Sequence, residues 1–92
     1  MVKKNDLFID VSSHNGYDIT GILEQMGTTN TIVKISESTT YFNPCLSAQV
    51  EQSNPIGFYH FARFGGDVAE AEREAQFFLD NVPQKVQYLV LD

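Results

Sequence analysis

The sequence predicts an α/β fold on a parallel sheet, because four strand-like apolar runs alternate with three helical patterns along its 92 residues. Alternation in the order β-α-β-α-β-α-β joins neighbouring parallel strands through right-handed helical crossovers. A hydrophobic content of 42% is typical of a folded chain rather than a disordered one. The last pattern is a strand with no helix after it, and a sheet of four parallel strands has two open edges. We therefore expect the chain to be the N-terminal piece of a longer domain.

The first strand is predicted over residues 7–11, an apolar run that Asp10 interrupts, and the polar residues 12–16 follow as a turn. Asp18 is placed to cap a short helix that ends at Gly27. The apolar face predicted for this helix consists of Ile19, Ile22, Leu23 and Met26.

The second strand is predicted over residues 31–36, where β-branched residues alternate with other types. A polar loop is expected over residues 37–42. Asn43 and Pro44 then predict a helix start, with the proline at the first helical position, and this helix would run to about Gln52.

The third strand is predicted over residues 56–61 and the fourth over residues 86–91. Between them, Asp67 and Glu70 have the spacing of a capping box at the start of a longer helix. The predicted buried face of this helix consists of Val68, Ala71, Ala75, Phe78 and Leu79, and its predicted outward face of Glu70, Glu72, Arg73 and Glu74.

The composition argues against several classes of function. Twelve acidic residues against six basic ones give a net charge of −6, which disfavours a nucleic-acid-binding surface and a polybasic membrane anchor. No apolar run reaches the roughly 20 residues of a membrane-spanning helix, so no membrane insertion is expected. The single cysteine, Cys45, cannot form an intramolecular disulfide or a four-cysteine zinc site. Residues 1–6 lead into no long apolar stretch, so synthesis in the cytoplasm without a signal peptide is expected.

Charged residues stand where the predicted strands end, and in parallel α/β folds function collects at that edge. Asp10 and Asp92 are the most informative, since each lies in an apolar run where an unpaired charge is costly. One such aspartate could cap the next turn, whereas two at equivalent strand ends favour a shared site. Glu37 could instead pair with Lys34, and His60, between two aromatic neighbours, could be a packed and hydrogen-bonded core residue.

The residues alone leave three functions open. Aromatic side chains in or beside the loops, such as Tyr41 and Phe61, could stack on sugar rings or could simply pack. A flavodoxin-like signalling domain would place a phospho-accepting aspartate after the third strand, where this sequence instead has His60 followed by Phe-Ala-Arg. A divalent-metal hydrolase could use Asp10, His60 and Asp92 as ligands for Mg²⁺ or Zn²⁺.

Four motifs occur in order at the predicted strand ends. They are residues 8–16 (FIDVSSHNG), 32–37 (IVKISE), 57–63 (GFYHFAR) and 89–92 (LVLD). The first three resemble the successive strand motifs of glycoside hydrolase family 25, the muramidases of phages and bacteria. The fourth resembles the first half of that family's Asp-x-Glu catalytic motif. Four motifs in order are a specific signal, and the resemblance spans the whole chain.

The resemblance implies the N-terminal half of a parallel β/α (TIM-like) barrel, with residues 1–92 as the N-terminal part of the catalytic domain. It implies hydrolysis of the β-1,4 bond between N-acetylmuramic acid and N-acetylglucosamine in the peptidoglycan of the bacterial cell wall, without a metal or other cofactor. Asp10 and Asp92 are implied to be catalytic. The residues implied to bind the glycan are Lys34, Glu37, Tyr41, Tyr59, His60 and Phe61.

The family's general acid is a glutamate two residues after the position of Asp92, and this chain ends before it. Glycoside hydrolysis needs a proton donor on the leaving oxygen as well as a second carboxylate. We therefore expect the 92 residues alone to be inactive. Open parallel edges invite further strand pairing, so self-association of the isolated chain is also expected.

Overall fold

The computed structural model describes residues 7–92, and in this part of the chain the predicted alternation of parallel strands and helices is confirmed. The expectation about a signal peptide concerns residues 1–6, which lie outside the described residues. The strands are β1 (Ile9–Val11), β2 (Asn30–Glu37), β3 (Tyr41–Phe42), β4 (Asn54–Phe61) and β5 (Tyr88–Leu91). The helices are α1 (Thr20–Met26), α2 (Leu46–Gln52) and α3 (Val68–Asp80), and a 3₁₀ turn covers Ser13–Asn15.

Four parallel strands lie side by side in the order β1-β2-β4-β5, so each new strand is added on the same side of the one before. Val11 lies opposite Val33, which in turn lies opposite Phe58. Stepwise addition in one direction is the winding of a β/α barrel, whereas a doubly wound sheet reverses direction after its first strands. The strand order therefore excludes the flavodoxin-like alternative.

The segment 37–42, predicted to be a polar loop, contains the short antiparallel strand β3. Its two residues pair with the end of β2, Phe42 with Ser36 and Tyr41 with Glu37. The three-residue β1 pairs with β2 no further than Val33, so the carboxyl end of β2 has a free edge there that β3 occupies. The chain reverses through Ser38, whose φ of 56° lies in the left-handed region.

Two of the three predicted helix starts need correction, and the reason is the same for both. Asp18 does not cap α1 from the N-cap position, because its carboxylate accepts hydrogen bonds from the backbone and hydroxyl of Thr20, two residues on. Asn43 likewise accepts from the backbone of Cys45, and α2 begins later than predicted. Both side chains close a local turn ahead of the helix. At α3 the predicted start is confirmed, since Asp67 is the N-cap and accepts from the backbone of Glu70. The second half of the predicted capping box is replaced, because the Glu70 carboxylate pairs with Arg73 and the Asp67 N–H donates to the carbonyl of Phe64.

The hydrophobic core lies on one face of the sheet, between the strands and all three helices. Its buried residues are Val11, Ile19, Leu23, Val33, Ile35, Leu46, Phe58 and Phe78. Two predictions for α3 were wrong: Val68 and Leu79 are exposed, and Glu74, expected to point outward, is 1% exposed. The inward stripe is narrower than predicted, and Glu74 lies on it because positions 71, 74, 75 and 78 have the spacing of one helix face.

The opposite face of the sheet, which we call the open face, is not covered by any element of residues 7–92. Phe8, Tyr88 and Val90 on this face are 46%, 45% and 38% exposed. Strands β4 and β5 approach closely at Gly57, where an added Cβ would lie 2.9 Å from the carbonyl oxygen of Tyr88. None of the helices described between residues 7 and 92 has both the length and the apolar character needed to cross a membrane.

Candidate functional site

The carboxyl ends of the strands bring Asp10, Tyr59 and Asp92 to the wall of one cavity of about 270 Å³ on the open face. Asp92 follows β5 directly, and its backbone is held on both sides. Its N–H donates to the carbonyl of His60, and its carbonyl accepts from the N–H of Ala62, each at 2.9 Å. The two aspartates singled out from the sequence therefore share one cavity.

Tyr59 lies at the centre of this group of carboxylates. Partial burial raises the pKa of its phenol, and the negative charges of Asp10, Asp92 and Glu37 raise it further, while a hydrogen bond with Ser12 acts in the opposite direction. The phenol therefore stays protonated at neutral pH and keeps a hydroxyl that can donate or accept a hydrogen bond. A neutral donor among several carboxylates suits recognition of an uncharged, hydroxyl-rich ligand.

Glu37 is the centre of an ion-pair cluster at the end of β2. Lys34 Nζ donates to one carboxylate oxygen at 2.6 Å, and Nε and Nη2 of Arg63 approach the other at 2.9 and 2.8 Å. The hydrogen bond from Lys34 is the largest influence on Glu37 and lowers its pKa; burial acts in the opposite direction, and Arg63 lowers the pKa further. The Lys34–Glu37 pair that the sequence left open is therefore present.

Two half-exposed aromatic rings flank this cluster. Lys34 Nζ lies 5.2 Å from the ring centroid of Tyr41 and 5.3 Å from that of Phe61, while the Arg63 guanidinium lies 4.8 Å from the Phe61 centroid. The Tyr41 hydroxyl is 2.5 Å from Ser13 Oγ. We call Lys34, Glu37, Tyr41, Phe61 and Arg63 the rim cluster. It combines ring faces with oriented charged groups, as sites that orient a ligand by a few polar contacts do.

His60 does not join these residues at the surface. Alternation along β4 turns Tyr59 to the open face and His60 to the helix-covered face, where its side chain is 0% exposed. It is hydrogen-bonded to Ser36 and Glu74. The packed core residue that the sequence allowed is therefore what the structure shows, and a direct glycan contact by His60 is not supported.

The metal-hydrolase alternative fails for the same reason, because His60 faces away from the cavity that Asp10 and Asp92 line. The described part of the chain holds no group of three histidine, cysteine or acidic side chains that could bind a metal ion.

Three further residues hold side chains of the candidate site in place but were assigned no role in it from the sequence. Arg63 belongs to the third motif and stood at a strand end, but its pairing with Glu37 depends on how two strands align. Ser13 reaches Tyr41 across 28 residues of sequence, and no local pattern indicates that contact. Glu74 could have been found, since its spacing from Ala71 and Phe78 puts it on the buried stripe of α3.

Comparison with known proteins gives a match to the family described as glycosyl hydrolases family 25 over residues 9–92. The chain belongs to this family. The resemblance inferred from the four strand-end motifs is thereby confirmed.

Individual members of glycosyl hydrolase family 25 show how much of such a protein the chain represents. The lysozyme of Streptococcus phage Cp-1 is 94% identical over 92 residues, which are the whole of this chain and 27% of that lysozyme. The Cpl-1 endolysin, solved in complex with a peptidoglycan analogue, superposes with a TM-score of 0.96 at 93% identity, over 98% of this chain and 27% of its own. A family 25 glycosyl hydrolase from Bacillus anthracis has a TM-score of 0.66 at 26% identity, over 89% of this chain and 38% of its own. The chain therefore spans about a quarter of the phage relatives, and its fold is the N-terminal part of a TIM-like barrel.

Proposed function

We propose that this chain is the N-terminal part of the catalytic domain of a lysozyme, an N-acetylmuramidase of the phage endolysin type. Such an enzyme hydrolyses the β-1,4 bond between N-acetylmuramic acid and N-acetylglucosamine in the glycan strands of peptidoglycan and so acts on the bacterial cell wall. The observation that carries the proposal is the cavity at the strand ends, where Asp10 and Asp92 flank the neutral phenol of Tyr59.

The two aspartates supply what the transition state of glycoside cleavage requires. Positive charge develops on the sugar ring as the bond to the leaving oxygen breaks, and nearby carboxylates that are already in place stabilise it. Asp92 is fixed through both of its backbone hydrogen-bonding groups. Asp10 is held in the ladder of β1 and β2, opposite Ile32. In this proposal Asp92 orients the N-acetyl group or stabilises the developing charge, and Asp10 lines the same pocket.

The rim cluster would bind the glycan. A pyranose ring presents an apolar face of C–H groups and an edge of hydroxyl groups, so aromatic faces beside fixed charged groups recognise it. Tyr41 and Phe61 are 38% and 37% exposed, which leaves ring area free for such a contact. Lys34 and Glu37 would bind hydroxyl groups while they remain paired with each other.

The proton donor for the leaving oxygen is assigned to the family's glutamate beyond position 92. None of the carboxylates described here is proposed for that step. The 92 residues alone should therefore leave peptidoglycan intact, since positioned acid catalysis contributes about 10²- to 10⁴-fold and the rest of the cleft is also needed to orient the substrate.

The test uses a completed lysozyme, in which this chain replaces the matching 27% of the Cp-1 lysozyme. Digested walls are reduced with borohydride, and the new chain ends are identified by mass spectrometry. Reduced muramic acid ends are expected from the completed lysozyme, and no new ends from the 92 residues alone. Reduced glucosamine ends, free peptide amines, or cleavage by the 92 residues alone would each overturn the proposal.

A further inference from the structure

Three polar side chains form a continuous hydrogen-bonded row inside the helix-covered face. Ser36 Oγ lies 2.8 Å from His60 Nδ1, and His60 Nε2 lies 2.6 Å from Glu74 Oε1. Ser36 and His60 are 0% exposed and Glu74 is 1% exposed. We call these three residues the buried triad. It joins the end of β2, the end of β4 and the middle of α3.

The buried triad continues into the backbone of the loop after β4. The N–H of Arg63 donates to both carboxylate oxygens of Glu74, at 3.0 and 3.3 Å. The Glu74 carboxyl group also shares a hydrogen bond with His60 Nε2, and His60 Nδ1 shares one with the Ser36 hydroxyl. Every donor and acceptor in the row thereby has a partner, in agreement with the absence of unpartnered buried side-chain polar atoms among residues 7–92.

The position of Arg63 sets the geometry of the rim cluster. Its guanidinium binds Glu37 and lies against the ring of Phe61, and Glu37 in turn holds Lys34. Ser36, at the other end of the row, directly precedes Glu37 and lies opposite His60 where the pairing of β2 with β4 is irregular. The buried triad therefore fixes the backbone on both sides of the Arg63–Glu37 contact.

Packing alone does not require such an arrangement. Burying a carboxylate is costly unless it is fully hydrogen-bonded, and apolar side chains of similar volume often stabilise a core as well or better. Apolar side chains fill other buried positions on this face, among them Ile35, Phe58 and Phe78, whose ring centroid lies 5.8 Å from that of His60.

We propose that Ser36, His60 and Glu74 are positioning residues for substrate binding, acting through the backbone of Arg63 on the rim cluster. This inference rests on the proposed function. It assigns His60 an indirect role in place of a direct glycan contact.

The decisive variant is Glu74→Gln in the completed lysozyme, which keeps the size of the side chain but removes its charge. Loss of this charge should displace the backbone of Arg63 and with it the rim cluster. A displaced rim cluster binds the substrate and the transition state less tightly by the same factor, so KM should rise about tenfold while kcat stays close to that of the parent. The matched control is Glu72→Gln, an exposed charge loss two residues away on the same helix, which should leave KM unchanged. Exchange of the Arg63 amide with solvent, followed by NMR, should accelerate in Glu74→Gln and not in the control.

A double-mutant cycle separates positioning from general stability. If Glu74 acts through the rim cluster, the KM effects of Glu74→Gln and Glu37→Gln should be clearly less than additive. Ser36→Ala is the second variant, for use if Glu74→Gln does not fold, and it should raise KM in the same direction by a smaller factor. A lower melting temperature with unchanged KM in the folded variants would overturn the inference. Inactivity of the unsubstituted completed lysozyme would instead overturn the proposed function, while the Arg63 amide would still report on the buried triad.

Discussion

The two faces of this sheet differ in what they bury. On the helix-covered face, Val33, Ile35 and Phe58 are 0% exposed and lie against all three helices. On the open face, Tyr59 of β4 and Val90 of β5 remain accessible and line the cavity with Asp10 and Asp92. The sheet therefore supports a packed core on one side and the candidate site on the other. Alternation of side chains along each strand assigns successive residues to one face or the other.

The faces also differ in how they accommodate charge. Glu37 on the rim keeps its charge through two cationic partners that are themselves in contact with water or aromatic rings. Among residues 7–92, no lysine or arginine lies within salt-bridge distance of Glu74 on the covered face, and its partners are the His60 ring and the backbone N–H of Arg63. A charge on the rim can exchange its partners for a ligand, whereas a charge in the core can only hold its neighbours in place.

The largest effect expected from this contrast is on stability. Phe58→Ala should lower the free energy of unfolding of the 92-residue chain by about 3–5 kcal/mol, or unfold it, because the ring is completely buried. Val90→Ala on the open face should cost less than about 1 kcal/mol, since Val90 is already 38% exposed. Urea unfolding followed by circular dichroism measures both.

The same pair of variants tests the predicted self-association. If a second copy covers the open face, the cost of Val90→Ala should grow with protein concentration, and sedimentation should show a dimer. Equal costs for the two variants at the lowest workable concentration would contradict the distinction between the two faces.

The next effect is on turnover. In the completed lysozyme, Asp92→Asn should lower kcat about 100-fold with an unchanged melting temperature, because a carboxylate placed beside developing positive charge is lost while the backbone contacts remain. Asp80→Asn, at the exposed end of α3, is the matched control and should retain full turnover. An Asp92→Asn protein with the kcat of its parent would remove Asp92 from the proposed site.

The sequence predicts the elements of the helix-covered face better than it predicts the contacts of the rim cluster. Alternating apolar strands and the Asp67 cap are local signals, and they indicated four parallel strands and three helices. Strand β3 could not be predicted this way, because it exists only where the short β1 leaves an edge of β2 free. The helical spacing of Glu74 places it on the buried stripe of α3, but its bonds to His60 and to the backbone of Arg63 arise from tertiary contact rather than from helix pattern.

The residues of the candidate site also fall into those that local sequence indicates and those that meet only through tertiary contacts. Asp10 and Asp92 could be selected because a charge in an apolar strand is unusual and parallel strands end at one edge. The pairing of Arg63 with Glu37 could not, because these residues lie 26 positions apart and meet through the register of β2 with β4. His60 shows the limit of motif resemblance, since a motif places a residue at a strand end without stating which face it occupies.

A smaller effect concerns how β4 and β5 come together. Gly57→Ala should destabilise the chain by about 1–3 kcal/mol, because the new Cβ would lie 2.9 Å from a backbone oxygen of Tyr88 that cannot move without disturbing the ladder. Gly21→Ala is the control: apart from its chain neighbours and the backbone of its own helix, no atom of residues 7–92 lies within 4 Å of its added Cβ, and alanine in place of glycine within a helix should stabilise by about 0.5–1 kcal/mol. Stabilisation by both substitutions, measured by thermal unfolding, would show that backbone entropy rather than close approach governs Gly57.

The smallest effect is the pH dependence of the rim. The pKa of Glu37 is lowered from its ordinary value of 4.5, first by the hydrogen bond from Lys34. A carboxylate with a lowered pKa in the folded state stabilises that state above its unfolded pKa, and the contribution is lost as pH falls through the folded pKa. The difference in unfolding free energy between the parent chain and Glu37→Gln should therefore be constant above pH 4.5 and shrink below it. Since the cluster is partly exposed, the difference should not exceed about 1 kcal/mol and should fall in high salt. A difference that changes near neutral pH, or resists salt, would mean that Glu37 is held by something other than its two cations.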